Sequence, residues 1–589
     1  MNKLSGIGIH RTGDPFTRQM FLSLWRPALL SSLGWALSDM MDAIVVGQRL
    51  GSVGLASISL ILPIYMVNCM LIHGLGLGGS IHYSRLSGEG KTQEAVNSFR
   101  GVLLLSMIFG VAMAILGNIF IDPLLSLLGT KKADGALFKG TKDYLQVLLA
   151  STPLFYLSNL LNYYLRNDEN QHLAGIGSVT GNICDILFDI LLVLVLNLGT
   201  RGAALSTTLG QVIAVAIYLP GFFSNKHTLR FGLPKGRWLV PALSSLKAGM
   251  ATSVQYLYQM IFLLVCNNLL MLLGGESAVA VFDVLQNTSY LILYLFDGVG
   301  RAMQPIVSTY QGEHNRQGKF HALQLGFVAG FLSGGMMILL VGLWPTGICW
   351  LFGIAGSPTE AMTRIALRLY SVSAIFAGIN ILICTYYQAC ENDKPSFILE
   401  TLRGIAVLIP LTFLCFKFGQ LDYFWLLFLM TEAVSLILFL LLGVFGLYKK
   451  DDFPAERIFQ RMIPSSTKDI MGICQDLENF CKSWGANDKQ RMMATMVIEE
   501  VGMVILKHGF HDRSDGYVQI TVVMEKDDTL SFHLRDNATT FNPFDMETKR
   551  ASKNEAFDMD SMGILIIKNQ AKDFFYRRYH GFNTLTVRL

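Results

Sequence analysis

Long apolar stretches recur through the first three quarters of the chain and predict membrane-spanning helices. A helix needs roughly 20 apolar residues to cross a bilayer. Stretches of that length without any charged residue lie at 50–84, 101–121, 144–165, 202–225, 248–275, 320–359 and 369–390. Segments that are long enough but contain single charges lie near 20–48, 170–200, 277–300, 395–418 and 423–448. Together these patterns predict a polytopic α-helical membrane protein with about twelve transmembrane helices.

An even number of crossings places both ends of the chain on one side of the membrane. Loops on that side are rich in Lys and Arg, as cytoplasmic loops usually are. The first nineteen residues lack the pattern of a cleaved signal peptide. We therefore expect a multi-pass protein of the cell (inner) membrane with both termini in the cytoplasm.

The charge pattern changes near Lys449-Lys450-Asp451-Asp452 and marks a boundary between two kinds of sequence. About 11% of residues 1–450 are charged, against about 28% of residues 451–589. Soluble proteins carry roughly 25% charged residues. The region 455–589 is therefore predicted to be a soluble, cytosolic α/β (α+β sandwich) domain, which we call the tail domain.

The membrane part repeats itself at an offset of 223 residues. This shift superimposes Tyr163-Tyr164 on Tyr386-Tyr387 and Asp168 on Glu391. Repeats of six helices in the same direction predict two bundles, at 1–225 and 226–450, with a substrate cavity between them and alternating access by rocking. A chance alignment of common residues is the alternative. The repeat is favoured because transporters are commonly built in this way.

Acidic residues within the predicted spans are concentrated in the first repeat. Asp42, Asp185 and Asp189 all correspond to uncharged residues in the second repeat. A mid-membrane carboxylate costs about 2.5–3.5 kcal/mol and calls for a pathway, a partner or a bound cation. Asp185 and Asp189 lie four residues apart on one helical face. Three converging carboxylates could bind sodium through their oxygens, or could hold a proton, because like charges and poor solvation favour the neutral form.

A structural alternative exists for these acids: they could lie near helix ends, hydrated or paired with Arg49 or Arg201. Asp39 and Glu432 are further intramembrane acids, and we treat them with Gln304 as candidates for the substrate cavity or for gating.

Several short motifs make the membrane part resemble the multidrug and toxic compound extrusion (MATE) family. In the first half they are Asp42-Ala43-Ile44-Val45-Val46-Gly47, Gly76-Leu77-Gly78-Gly79-Ser80 and Gly202-Ala203-Ala204-Leu205-Ser206-Thr207. In the second half they are Gln304-Pro305 with Gln311-Gly312, Arg403 with Pro410, and Glu432. The resemblance covers residues 18 to 448.

This resemblance implies export of cationic, amphipathic organic compounds in exchange for sodium or protons. It places the cation-coupling site on Asp42, Asp185, Asp189 and Thr207, with sodium possible at the three acids. The position of Asp185 is usually Asn in the family, so this site has an extra carboxyl group. The choice of ion stays open.

The sequence of the tail domain has the pattern of a soluble α/β fold. Amphipathic helices are predicted at 466–484 and 487–508, followed by strands at 517–524 and 530–535. A helix at 562–570 and strands around 573–579 and 584–589 complete it. Its order and motifs resemble the histidine-kinase-like ATPase fold in its anti-sigma-factor branch. The motifs are Glu500 with His508, Asp536-Asn537-Ala538, and Met562-Gly563-Ile564-Leu565.

The resemblance implies a set of residues for nucleotide chemistry, and several of these are replaced in this sequence. Glu500 matches the family's base, but Val504 takes the place of the magnesium-binding Asn, and an aliphatic side chain cannot coordinate a hard cation. Asp536 and Gly563 match the nucleotide-binding positions, although neighbouring glycines are replaced. Nucleotide binding by the tail domain is therefore doubtful, and we expect the domain to be enzymatically inactive.

The predicted function is secondary active efflux with a regulatory tail domain and no cofactor beyond the coupling ion. An active serine kinase or ATPase tail on a transporter scaffold, and a lipid-precursor flippase or sensor, are the alternatives. The expected partners are a small organic substrate, the bilayer and a cytosolic protein that binds the tail domain. A formal charge of +4 on 589 residues gives no reason to expect nucleic acid.

Overall fold

The architecture is that of a helical membrane part followed by a small mixed domain. The computed structural model describes residues 15–128, 130, 132, 135–168, 170–223, 228–352, 356, 359–417, 421–446, 454–464, 470–510, 516–525, 527, 529–540, 542–545, 559–579 and 582–589. All regular elements described before residue 447 are helical.

The described residues of the first half of the membrane part form six helices. They are α1 (Pro15–Gly88), α2 (Thr92–Ile119), α3 (Ile121–Leu127), α4 (Ala136–Asn167), α5 (Gln171–Asp189) and α6 (Gly199–Phe223). A π-helical turn at Ile190–Val195 directly follows α5. Such turns are rare in proteins and are frequent at functional sites.

Eight helices are described in the second half. They are α7 (Leu239–Ala248), α8 (Met250–Gly312), α9 (Arg316–Leu343), α10 (Pro345–Leu351), α11 (Glu360–Ala389), α12 (Asp393–Thr401), α13 (Leu408–Lys417) and α14 (Leu421–Val444). A π-helical turn at Leu402–Ala406 joins α12 to α13.

The offset of 223 residues, which relates the sequences of the two halves, also relates the positions of their helices. Adding it to the bounds of α2, α3, α4 and α6 gives the bounds of α9, α10, α11 and α14 to within two residues. The π-helical turns do not follow this offset. The turn in the first half begins at Ile190, next to Asp189, whereas the turn in the second half, at Leu402–Ala406, begins at an earlier position of its repeat. The halves therefore share their architecture and differ around the acids.

Nine helical segments of the described chain are long and apolar enough to span a bilayer. They are Leu60–Gly88, Thr92–Ile119, Ala136–Asn167, Gln171–Val195, Gly199–Phe223, Arg316–Leu343, Glu360–Ala389, Asp393–Lys417 and Phe424–Val444. The three remaining crossings predicted from the sequence fall in the first part of α1 and in α8. The predicted polytopic helical fold is confirmed.

The tail domain is a five-stranded antiparallel sheet covered by helices on one face. Its strands are β1 (Ile458–Pro464), β2 (Tyr517–Met524), β3 (Leu530–Asp536), β4 (Asp573–Tyr579) and β5 (Phe582–Arg588), in the order β1-β2-β3-β5-β4. Its helices are α15 (Ile470–Ser483), α16 (Asp488–Met496), α17 (Gly502–Val504) and α18 (Met559–Gln570). Strand β1 is absent from the sequence-based prediction.

The two faces of this sheet contact different parts of the molecule. Side chains alternate between the faces of a strand, so Val518, Phe532 and Val587 pack with the helices in one apolar core. Arg535 and Thr586 belong to the opposite face. Every residue of β3 is nevertheless buried, because the membrane part covers that opposite face through the contacts described below.

Candidate functional site

Three carboxylates from two helices meet inside the first half of the membrane part. Asp42 belongs to α1, and Asp185 and Asp189 belong to α5. One ligand atom from each of the three lies within 4.8 Å of the others. Asp185 and Asp189 are buried, and Asp42 is partly exposed. These are the three acids that the sequence analysis grouped as a coupling site.

Close packing of α5 against α6 helps to position the cluster. Residue 210 of α6 is glycine, and a Cβ atom there would lie 2.7 Å from the Gly181 backbone oxygen and 3.0 Å from the Asp185 Cβ. Any larger side chain at this position would push the helices apart. The contact brings the Ser206 hydroxyl of α6 to Asp189, to which it donates a hydrogen bond.

Hydroxyl groups contact two of the three acids. Ser38 of α1 donates to Asp185 Oδ2 at 2.7 Å, and Ser206 donates to Asp189 Oδ1. The other oxygen of Asp189, Oδ2, is buried and has no hydrogen-bond partner within the described residues. The predicted ligand Thr207 instead donates to the Ala203 carbonyl oxygen of its own helix at 3.3 Å.

This arrangement can bind a small cation. Carboxylate and hydroxyl oxygens are the ligands that hard cations prefer, and the three acids would carry three negative charges if all were ionised. Charges this close in a poorly solvated site repel each other strongly, so the cluster favours either a proton or a bound metal ion. The residues present therefore fit both sodium and proton coupling.

The other three candidates lie elsewhere. Gln304 of α8 donates to Asn167 Oδ1 of α4 at 3.3 Å, which links the two halves. Glu432 of α14 is held by Arg403 at 2.8 Å and by Asn380 at 2.7 Å, within the second half. The side chain of Asp39 lies outside the described residues. None of these contacts places Gln304 or Glu432 beside the three acids.

The two halves are in close contact at the face that carries the tail domain. Arg85 of α1 pairs with Glu391, which follows α11, at 2.8 Å. Gly88 at the end of α1 packs so closely against the Thr309 carbonyl oxygen of α8 that a Cβ atom would not fit. We call this surface the tail face, and in this structure the two bundles meet there without a gap at these residues.

A buried ion pair attaches the tail domain to the second half of the membrane part at the tail face. Arg535 of β3 pairs with Glu313, which follows α8, and each side chain is only 3% exposed. The Arg535 guanidinium also lies 5.0 Å from the ring centroid of Tyr310. Burial makes this pair sensitive to the loss of either partner.

The first half supplies separate contacts to the same sheet face. Arg577 of β4 lies 3.4 Å from Asp168 in the loop after α4, and Arg588 of β5 donates to the Glu89 carbonyl oxygen. The ring of Phe16 at the start of α1 packs edge-on against two tail-domain rings, Tyr517 at 4.4 Å and Phe582 at 4.7 Å. The tail domain therefore bridges both halves.

The ATPase-like residues of the tail domain are crowded. The Glu500 side chain packs so closely over Gly563 that any side chain there would collide with it. Val504, at the position of the family's magnesium ligand, is 3% exposed and belongs to the apolar core. An aliphatic side chain in a closed core offers no ligand to a metal ion.

Asp536 at the end of β3 is buried and already hydrogen-bonded within the domain. Its Oδ1 accepts from Asn583 Nδ2 at 2.7 Å and from the Ala538 backbone N–H at 2.9 Å. Burial raises the pKa of Asp536 to about 6, although these hydrogen bonds and the Arg578 charge oppose the rise. The carboxylate that the resemblance assigns to adenine recognition thus has two partners of its own.

This raised pKa predicts a pH-dependent effect on stability. The charged form is disfavoured in the folded state, so the penalty is present above about pH 6 and disappears as the pH falls below about 4, the ordinary value. Replacing Asp536 by Asn keeps the acceptor oxygen and removes the charge. We expect Asp536→Asn to stabilise the tail domain by at most about 3 kcal/mol at pH 8 and by much less at pH 4.5.

Calorimetry of the purified full chain at both pH values measures this difference. A stabilisation of equal size at pH 8 and pH 4.5, or a loss of stability at pH 8, would contradict the assignment of the penalty to the Asp536 charge.

The contacts at the tail face include residues that the sequence analysis did not single out. The contacts of Ser38 and Ser206 with the acids were not predicted either, since Ser38 belongs to no motif and the resemblance assigns Thr207, the neighbour of Ser206, to the site. Arg535 lies in the predicted strand 530–535, and Arg577 in the strand around 573–579, where alternating charged residues ordinarily face solvent. Only the position of the tail domain on the membrane part reveals their partners.

Comparison with known protein families gives one match in the membrane part and a different match in the tail domain. The MatE profile matches residues 27–191 and 248–414, which is more than half of the chain. The profile of the histidine kinase-like ATPase domain matches residues 463–589. These matches confirm both resemblances proposed from the sequence.

Relatives and solved structures match most of their own length. The multidrug export protein MepA of Staphylococcus haemolyticus is 24% identical over 429 residues, covering 72% of this chain and 92% of that protein. The FAD transporter of Shewanella oneidensis is 23% identical over 394 residues, covering 65% and 84%. A crystal structure of MATE in complex with MaL6 aligns with a TM-score of 0.67 at 23% identity, covering 73% of this chain and 96% of that one. The chain belongs to the MatE family of multidrug efflux transporters and carries a histidine kinase-like ATPase domain at its C-terminus.

Proposed function

We propose that this transporter is a secondary active antiporter that exports organic compounds in exchange for sodium ions or protons. The observation that carries the proposal is the meeting of Asp42, Asp185 and Asp189 within one bundle. Intramembrane acids that converge in this way are functional by default. The names of the relatives, a multidrug export protein and a FAD transporter, support an organic substrate.

The acids provide a physical basis for exchange. Two bundles that rock about a central interface expose it alternately to the two sides of the membrane. A cation that binds the acids neutralises part of their charge and so changes which bundle arrangement is stable. Exchange requires that the ion and the substrate favour opposite arrangements. Ion entry on one side then drives substrate release on the other.

The number of carboxylates constrains the coupling ion. One sodium ion would compensate one of three negative charges and leave two within a few ångströms of each other. We infer that at least one carboxyl of the cluster keeps a proton, whichever ion is coupled.

Dye accumulation in cells tests the export function. Cells that lack their own efflux pumps and express this chain should retain less of a fluorescent dye than cells with an empty vector. Ethidium, a planar cation, and fluorescein, a planar anion, should both be assayed. Export of either dye that stops when a protonophore is added and sodium is removed supports antiport. Export that persists without both gradients would contradict it.

We further propose that the tail domain is a regulatory clamp on the cytosolic face. It contacts the second half through Arg535 and Glu313, and the first half through Arg577 and Asp168. Opening of the cavity toward this face requires the two bundles to separate there. A rigid sheet attached to both bundles opposes that separation. The clamp therefore slows the transport cycle until the tail domain detaches.

The clamp acts by contact and needs no ATP chemistry. Phosphoryl transfer depends on a metal ion that neutralises the phosphates, and Val504 cannot hold one. Asp536 accepts from Asn583 and from the Ala538 backbone, so its carboxylate is poorly available to an adenine ring. A cytosolic protein that competes for the arginine-rich sheet face is the partner expected to release the clamp.

We expect the purified full chain to show no magnesium-dependent ATP turnover. Any remaining nucleotide affinity would be the same for ATP, ADP and adenosine, since none of the described residues that match the family's nucleotide site favours the outer phosphates. Titration calorimetry with each compound, with and without magnesium, measures this. Tight ATP binding that requires magnesium would overturn the view that the domain is inactive.

A further inference from the structure

A group of flat rings lies where the two bundles meet. The Arg301 guanidinium of α8 lies 4.7 Å from the ring centroid of Trp35 in α1 and 5.9 Å from that of Tyr163 in α4. Trp35 and Tyr163 belong to the first half and Arg301 to the second. The contacts therefore cross the interface at which transporters of this architecture place their substrate cavity.

Two further rings extend this group. His73 of α1 is 3% exposed, and its Nδ1 lies 2.7 Å from the Tyr163 hydroxyl. The His73 ring also stacks on Tyr256 of α8, with centroids 5.1 Å apart and planes within 12° of parallel. Flat side chains from both halves thus line one region. Such surfaces recognise other planar rings by stacking.

The same region contains a positive charge that has no counter-ion among the described side chains. Arg166, in the last turn of α4, is only 6% exposed. Its Nη1 is buried and has no hydrogen-bond partner, and no carboxylate pairs with Arg166, within the described residues. Arg301 is different, because its Nε donates to Asp297 Oδ2 at 2.5 Å.

The charges of Arg166, Arg301 and Asp297 act on one another electrostatically. Among the described side chains, Asp297 compensates one of the two arginines, so these three residues together carry a net positive charge. Burying an uncompensated guanidinium is unfavourable unless an anion joins it. An organic cation would be repelled at this position.

We propose that this group binds a planar aromatic anion, with the ring against Trp35 and Tyr163 and the negative group on Arg166. The inference rests on the proposed export function, since it names the class of compound that is exported. It replaces the cationic substrate expected from the sequence. The acids that favoured a cation lie instead in the coupling cluster.

The position of Trp35 suggests how the two sites communicate. Trp35 Nε1 donates to Ser178 Oγ of α5 at 3.1 Å, and Ser38, one turn further along α1, donates to Asp185 of the same helix. Helix α1 therefore carries both the ring assigned to the substrate and the hydroxyl that contacts a coupling acid, and α5 carries the hydrogen-bond partners of both. A shift of α1 against α5 changes both sites together.

Binding of two flavins to the purified full chain tests the proposal. Riboflavin and FMN share one ring system and differ by a phosphate group. Titration calorimetry without any ion gradient should show FMN binding at least about tenfold more tightly than riboflavin, because of the charge-assisted contact to Arg166. Arg166→Gln should reduce this preference to less than about twofold and leave riboflavin affinity unchanged.

Two variants serve as controls. Arg166→Lys keeps the charge and should retain most of the preference, which separates a charge effect from misfolding. Arg201→Gln removes a positive charge from an exposed position of α6 and should change nothing. Equal affinity for the two flavins, binding of neither, or an unchanged preference in folded Arg166→Gln would overturn the proposal. If ion-driven export fails while the FMN preference follows Arg166, the binding site is correct and the antiport function is wrong.

Discussion

Asp189→Asn is expected to abolish ion-driven export while leaving the protein folded. The substitution removes the charge of the fully buried member of the three-acid cluster and changes little volume. It also relieves repulsion among the acids, so the thermal stability of the protein should not fall. Export should drop to the level of membranes without the transporter, because the coupling ion loses a ligand and the cycle loses its driving force.

Gradient-driven dye uptake into inside-out vesicles measures this effect. Asp122→Asn is the matched control, since Asp122 is a half-exposed acid on the short helix α3 that pairs with Lys142 outside the cluster. It should transport normally. Undiminished uptake by Asp189→Asn would remove that residue from the coupling site.

Arg535→Ala is expected to detach the tail domain and to accelerate transport. Glu313 would lose its ion-pair partner in a buried position, and breaking a buried pair in this way costs about 3–5 kcal/mol. Such a loss is comparable to the whole free energy of a modest interface. The tail domain should therefore become accessible to proteases at the sheet face, and the transport rate should rise.

Two further variants distinguish the loss of docking from a general loss of stability of the tail domain. Arg461→Ala breaks the exposed pair with Asp476 in the same domain, which should cost less than about 1 kcal/mol and leave transport unchanged. Arg535→Ala combined with Glu313→Ala should weaken docking by less than the sum of the two single changes, since the charges interact directly. A transport rate that stays the same in a visibly detached variant would show that the docked domain does not restrain the bundles.

Much of the architecture is predictable from local pattern. Runs of about 20 apolar residues locate the crossings because a bilayer imposes that length, and the offset of 223 relates helices as well as residues. Strand β2 begins and ends at the predicted residues. Strand β1 was not predicted, since Ile458–Pro464 is short and mixes polar with apolar residues. Its identity depends on pairing with β2, whose residues lie much further along the chain, as in Ile458 with Val523.

The site was only partly predictable, for a related reason. Helical spacing brings Asp185 and Asp189 to one face, but the contribution of Ser38 depends on how α1 packs against α5. Arg166 follows an apolar span and looks in sequence like an ordinary cytoplasmic end charge. Its burial arises from packing within the complete membrane part. Properties that depend on contacts between distant segments leave little trace in local sequence.

The central claim, ion-coupled export, is tested most directly with wild-type protein in inside-out vesicles. A sodium gradient and a pH gradient should be imposed separately, with the dye that the cells export. We predict that at least one gradient drives dye accumulation against its concentration difference, and that collapsing the gradient releases the dye. Dye movement that only equalises the two sides under either gradient would contradict the antiport account.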